Sequence, residues 1–531
     1  MILTTRQDTS TVQTTATPLA AWRKIQSWRG LATRGTSLLG FLLPCLLCTS
    51  VRATDVSGTI VNQTWTSNNS PYRVVGNILV AGLTIKPGVT VLFANNYTFE
   101  VGGKLKAIGT PDSPILFTTT NSGWQGIYFN AAQAGCELAH CTVERAVNSG
   151  IRIVNSTPVI SDCVIRSNSM SVSGAPTVQA YGGGINTDSP LVLDSCTIVN
   201  NSVAVSVTDN NAAAYAKGGG VYTSAALQLK NCVVSSNSVS ATATTGLNAT
   251  AYAWAEGGGI YGASSVTIRN SIIKRNTAAA NTFASSQAYQ SYARSFGAGV
   301  SSLGTVAATN TIFSYNAASG SAYYGWNLTS LIVAGGGQYA TGSGGNMVNC
   351  TFFSNSPSGI DTTTNGTVVL SSIFWSNVTS QVVGTTNVTY SDVQGGMTGV
   401  GNVNLNPLFL SPDDLIIVSG SPCVNAGSTN SIYKNVYFPP SLGHTRNDMG
   451  AHGGPGAGAR FRYRLIGDPQ FEVVLLGCVP GYTYLIQAST NVLDWQTVQQ
   501  ASNLHVGDVV YYLEPSINTL PRRFYKLNLA P

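Results

Sequence analysis

The chain has 531 residues, 56 of them Gly, and only 9% charged residues, which excludes the charge-rich make-up of an ordinary cytosolic enzyme. The formal net charge is +6, but six basic residues and one acid fall within the first 53 positions, leaving +1 for the rest. Nucleic-acid binding therefore has no electrostatic footprint beyond residue 53.

Residues 1–53 read as an export signal. Arg23, Lys24, Arg29 and Arg34 precede the apolar run Leu38 to Leu47, and Val51-Arg52-Ala53 supplies small residues for cleavage. Pro44 interrupts the run, which is too short to anchor the chain in a bilayer. No transmembrane segment is expected after signal removal, and the destination is the exterior or outer cell surface of a bacterium.

From residue 54 to 130 the text alternates apolar and polar residues around Gly and Pro turns, as in "LTIKPGVTVLF" and "WQGIYFN". These are expected to be capping coils at the start of a stacked fold. Residues 131–400 then carry a repeat: SDCVIRSN, DSCTIVNN, KNCVVSSN, RNSIIKRN, TNTIFSYN, VNCTFFSN and LSSIFWSN. Each copy ends on an Asn: Asn168, Asn201, Asn237, Asn276, Asn316, Asn355 and Asn377. Gly tracts such as Gly182-Gly183-Gly184 and Gly218-Gly219-Gly220 precede the middle copies.

The equivalent small positions are Cys141, Cys163, Cys196, Cys232, Ser271, Thr311, Cys350 and Ser372, separated by 22, 33, 36, 39, 40, 39 and 22 residues. A unit of 22 residues with inserts of 11 to 18 is too short for a helix pair. With β-branched residues and period-two alternation it fits one coil of a right-handed parallel β-helix. Stacking places the Asn side chains one strand spacing apart, where each amide can bond the next. The Cys column reads as small buried hydrophobes, because side chains stacked in parallel do not converge as a disulfide requires. A slip in alternation between Leu193 and Cys196 predicts a bend there.

Counting back from each Gly tract, Ala180, Ala216, Ala255 and Ser295 alternate with Tyr181, Lys217, Glu256 and Phe296. This predicts one extra strand per coil at the corner before the Gly tract, small residues inward and aromatic residues outward. Tyr215, Lys217, Tyr252, Trp254, Tyr292 and Arg294 are the candidate ligand-binding residues, with Tyr323, Tyr324 and Trp326 extending the stripe. Sugar rings present apolar faces that stack on such side chains, and the partner expected is a polysaccharide or cell-surface glycan.

From 401 to 458 the repeat dissolves into a terminal coil or cap that ends in the Gly-rich run 453–458, read as a linker. Residues 459–531 hold six short alternating segments and predict a small β-sandwich.

The phrases "GGGI" and "GGGV" followed by "FSYN", "FFSN" and "FWSN" resemble the repeats of polymorphic outer membrane proteins. More broadly, the chain resembles the secreted bacterial members of the pectate-lyase-like β-helix superfamily, including, through "YLIQASTNVLDWQTV" and "RRFYKL", a C-terminal module common on such proteins. Those 70 residues are too short for the barrel that ends polymorphic membrane proteins. The resemblance implies an all-β solenoid and opens a second reading, a polysaccharide lyase or glycoside hydrolase.

The residues themselves offer little for catalysis. Asn186-Thr187-Asp188 matches the first phrase of polygalacturonases, but inverting hydrolysis needs a second carboxyl and none is evident near Asp188. Asp162 and Asp194 are read as sharing one register, with Lys230 and Arg269 next in the same slot, a charge-alternating surface column. His444, Asp448 and His452 are spaced by four, but Gly443, Gly450 and Gly453 argue for a loop over a helical metal site. No catalytic residue, cofactor or metal is assigned, and the expected function is that of a non-catalytic secreted or cell-surface protein that binds glycans or another surface through the aromatic stripe.

Overall fold

A computed structural model describes residues 53–531 apart from 247–248, 285–289, 324–327, 343, 437–438, 440, 443–445, 467–469, 515–522 and 531. The export-signal reading, Tyr324, Trp326 and His444 lie outside the described residues. The fold is all-β, a right-handed parallel β-helix followed by a small β-sandwich.

Each full coil contributes three short strands. In the coil around Cys196 these are Ile185–Thr187, Leu191–Asp194 and Thr197–Val199, paired in register with Val221–Thr223, Leu227–Lys230 and Val233–Ser235 of the next coil. Ile185, Leu191, Leu193, Cys196 and Ile198 point inward and are buried. The bend between Leu193 and Cys196 is a single residue in the left-handed region, Ser195 at φ 53°. The same position recurs as His140, Asp162, Asn231, Asn270, Asn310 and Asn349, mostly short polar residues, for which this backbone is least costly.

The Cys register is not a purely apolar column. Cys163, Cys196 and Cys232 donate their thiols to the carbonyl two residues earlier, across the turn, at 3.1, 3.4 and 3.2 Å. Ser271, Thr311 and Ser372 make the same bond at 2.8, 2.9 and 3.0 Å. A small donor is what the slot selects. All eight cysteines of the described residues are free and buried.

At the next corner the Asn residues form an unbroken ladder. Nδ2 of Asn201 donates to Oδ1 of Asn237, which donates to Asn276, then Asn316, Asn355 and Asn377, at 2.9 to 3.0 Å. Each Oδ1 also accepts the backbone N–H of the preceding Asn, and each Nδ2 reaches a carbonyl of the coil before. Gln381 closes one end on Asn377 and Ala146 N–H the other on Asn168. A Cβ on the third Gly of a tract would press on this ladder, at 3.0 Å from the Asn276 amide for Gly259. The Gly tract and the Asn recur together because they share one corner.

The inserts leave at this corner, and each makes two strands where one was expected. Ser202–Thr208 and Ala213–Lys217 form one such arch, and five arches stack into two parallel sheets. Val203, Val205 and Val207 of the first strand face Ala214 and Ala216 of the second, in a thin core that is mostly alanine. The missed strand follows the Asn directly, without a turn residue to announce it.

Beyond Val393 the chain does not simply close the stack. Residues 447–462 run back along the left-handed turns as a strap. Asn349 bonds Asn447 and the Asp448 carbonyl, Asn310 bonds the Ala451 and Gly453 carbonyls, and Arg460 bonds Asn231 at 2.6 Å. Gly453–Gly458 is therefore packed rather than a free linker; a Cβ on Gly456 would collide with the Asn310 side chain. The module follows, with sheets Arg460–Ile466, Gln470–Leu476, Val510–Glu514 and Tyr484–Ser489, Gln496–Ala501, Phe524–Leu529 around Val473, Leu475, Tyr484 and Ile486. Among the described residues no helix is long and apolar enough to cross a membrane.

Candidate functional site

The outward faces of the second insert strands and of the first coil strands meet at the Gly turn, where Gly182, Gly218 and Gly257 take φ of 66–67°. The chain doubles back there so sharply that the two faces form an inner corner. Register pairing sets three outward rows on the insert wall. Tyr215 lies beside Trp254 and then Arg294; Ala213 beside Tyr252 and Tyr292; Lys217 beside Glu256 and Phe296.

The innermost row closes on the coil wall. Tyr181 stacks on Tyr222 at 4.6 Å, Tyr222 on Tyr261 at 5.4 Å, and Phe296 on Tyr339 at 4.5 Å. Lys217 Nζ pairs with Glu256 at 2.9 Å, donates to the Tyr261 hydroxyl at 3.1 Å, and sits over the Tyr261 ring. Burial opposes its charge, but the Glu256 carboxylate outweighs that and raises the lysine pKa. Lys217 is thus committed within the corner, not free to reach a sugar as its outward position suggested.

The middle row is a sandwich: the Tyr215 edge meets Trp254 at 5.4 Å, and the Arg294 guanidinium lies 4.9 Å over the other side. Trp254 Nε1 and Arg294 Nε are buried with no hydrogen-bond partner among the described residues. In the outer row Tyr252 and Tyr292 stack face to face at 5.0 Å. All six sequence candidates are half-buried, so stacked rings spend their faces on one another and offer edges and hydroxyls outward. The outer pair keeps its two end faces, since Tyr252 has only Ala213 beside it in the preceding coil and Tyr292 only Ser330 in the following one.

Tyr222, Tyr261 and Tyr339 were not among the candidates, yet "GGGVY" and "GGGIY" place a Tyr at the outward position two after the tract. Asp188 lies in a turn, accepting from Asn155 N–H at 2.9 Å and the Ser189 hydroxyl at 2.7 Å. Asp162 and Asp194 do not share a register: Ser161 pairs with Asp194, and Asp162 holds the turn position of Ser195. Nor is Asp162 on the surface, since its side chain is fully covered by the module. Asp448 accepts from Asn425 and Leu442 N–H, while burial lowers the His452 pKa to about 4, and its ring reaches the Asp414 carbonyl.

No family model, curated protein or solved structure matches the chain.

Proposed function

We propose that this is an exported β-helix protein, secreted or held at a bacterial cell surface, that binds a polysaccharide along the aromatic corner without turning it over. The observation that carries the reading is the periodic row of rings on the insert wall, spaced one strand apart over successive coils. A linear polymer is the ligand class whose repeat can engage such a row at several points. The small Ala213 and Ser330 beside the Tyr252 and Tyr292 rings leave room for a sugar face at either end of that pair. Glu256 is engaged by Lys217, which speaks for contact rather than acid catalysis. The repeat's resemblance to polymorphic outer membrane proteins and the pectate-lyase-like superfamily supports an exported setting.

Replacing Tyr215 and Trp254 together by Ala is expected to weaken polysaccharide binding by about tenfold or more. Equal binding of variant and wild type on a glycan array would reject the site. Release of reducing ends or unsaturated products from soluble polysaccharides would favour the lyase or hydrolase reading instead.

A further inference from the structure

The module docks at the low end of the turn ladder, where its residues change character. Above it the ladder offers Ser195 and Asn side chains; its last two positions are Asp162 and His140, one coil apart at φ 54° and 47°. Facing them is Glu472, in the middle of the strand Gln470–Leu476 and completely buried. Residues 140, 162 and 472 are too far apart in sequence for any spacing motif to show them together.

We propose that His140, Asp162 and Glu472 bind a divalent transition-metal ion, of the zinc type, that locks the C-terminal module onto the β-helix. One ligand atom from each residue lies within 4.8 Å of the others. His140 Nε2 and Glu472 Oε1 are 2.9 Å apart, yet among the described residues neither atom has a hydrogen bond, and Glu472 Oε2 has none either. The distance fits an ion pair, but the direction does not fit a hydrogen bond. Two tetrahedral ligands on one ion with bonds of about 2.1 Å are about 3.4 Å apart, so an ion would enter by opening this contact by about half an ångström.

Charge points the same way. A carboxylate without donors in a dry interior costs several kcal/mol unless a cation meets it. Arg462 is taken, at 2.5 Å from Asp162 and 3.1 Å from Asp194. Tyr511 also donates to Asp162 Oδ1, at 3.2 Å, and packs its ring edge against the His140 imidazole. Arg462 and Tyr511 thereby orient the Asp162 carboxylate as outer partners orient metal ligands. An imidazole nitrogen with two carboxylates suits zinc-type ions better than calcium or magnesium.

Full-length protein stripped with EDTA and dialysed against zinc should retain one ion per chain by elemental analysis and melt at a higher temperature than the stripped form. Glu472→Gln, which keeps the shape, should weaken zinc affinity by more than about tenfold and abolish the thermal gain. His140→Gln should do the same. No zinc retained by wild type would overturn the proposal, as would equal retention by Glu472→Gln. Melting that ignores zinc but falls as pH rises through neutrality would identify an imidazolium–carboxylate pair and overturn it too.

Discussion

At the Asn168–Asn377 corner every side-chain amide is satisfied by the next coil, so the ladder closes on itself. At the corner running from Asn349 down to His140 the partners come from far along the chain, 98 residues for Asn349 and Asn447, 349 for Asp162 and Tyr511. The first ladder forms as fast as coils stack. The second is complete only when the strap and module have arrived, so it should be the looser of the two. Breaking the Asn ladder should therefore cost the whole solenoid, whereas breaking the turn ladder should release only the C-terminal part.

The largest effect is expected at mid-ladder. Asn276→Leu removes the acceptor for Asn237 N–H and Nδ2 and the donor to Val234 and Asn316, leaving several buried groups orphaned. A loss of about 3–5 kcal/mol is expected, read as one cooperative transition shifted to lower denaturant. Survival of the transition midpoint would show that the ladder contributes little.

Arg462→Met sharpens the other half. It strips the buried Asp162 and the half-exposed Asp194 of their guanidinium, at a cost of about 2–4 kcal/mol at the seam. Limited proteolysis should then cut residues 447–462 early while the solenoid core stays protected in hydrogen exchange. Simultaneous loss of both would mean that the module and the solenoid unfold as one.

The contrast also explains what the sequence made legible. Coil length, the Asn ladder and the inward residues could be read because each is local and repeats. The rows Tyr215–Trp254 and Tyr252–Tyr292 followed from counting back to the Gly tract. The strap and the seam were hidden because their partners do not repeat: Arg462 finds Asp162 across 300 residues. The Gly453–Gly458 run was misread for a related reason, since glycine marks flexibility and close approach with the same letter.

A smaller effect is expected where the last coil meets the cap. Asp392 is buried, accepts from Leu405 N–H and the Cys423 thiol at 3.2 Å each, and burial raises its pKa to about 6. A folded-state value above the unfolded one favours the protonated form. Its stabilisation is full below about pH 4 and is lost as pH rises through 6. Asp392→Asn should thus gain about 2 kcal/mol at pH 8 and almost nothing at pH 4, measured by urea unfolding at both.

The smallest effect tests the donor register within a single turn. Cys232 donates to the Lys230 carbonyl, and in the next coil Ser271 makes the same bond to Arg269. If the slot selects a small donor, Cys232→Ser should cost less than about 1 kcal/mol, although it loses apolar volume. Cys232→Ala removes the donor as well and should cost about 1–2 kcal/mol. If the slot were a plain apolar stack, the order would reverse, because Ala is the better hydrophobe and Ser would bury a hydroxyl. Thiol labelling sets the same contrast in kinetics. Burial pushes the Cys350 pKa up to about 12, and Cys163 is raised by burial and its Cys141 neighbour. Native protein should therefore react only as fast as the coils open, with the buried solenoid thiols, Cys163 to Cys350, appearing together and Cys423 and Cys478 of the C-terminal part ahead of them. Rapid labelling of Cys163 or Cys232 in folded protein would show that the turn opens on its own and that the register is not a sealed column.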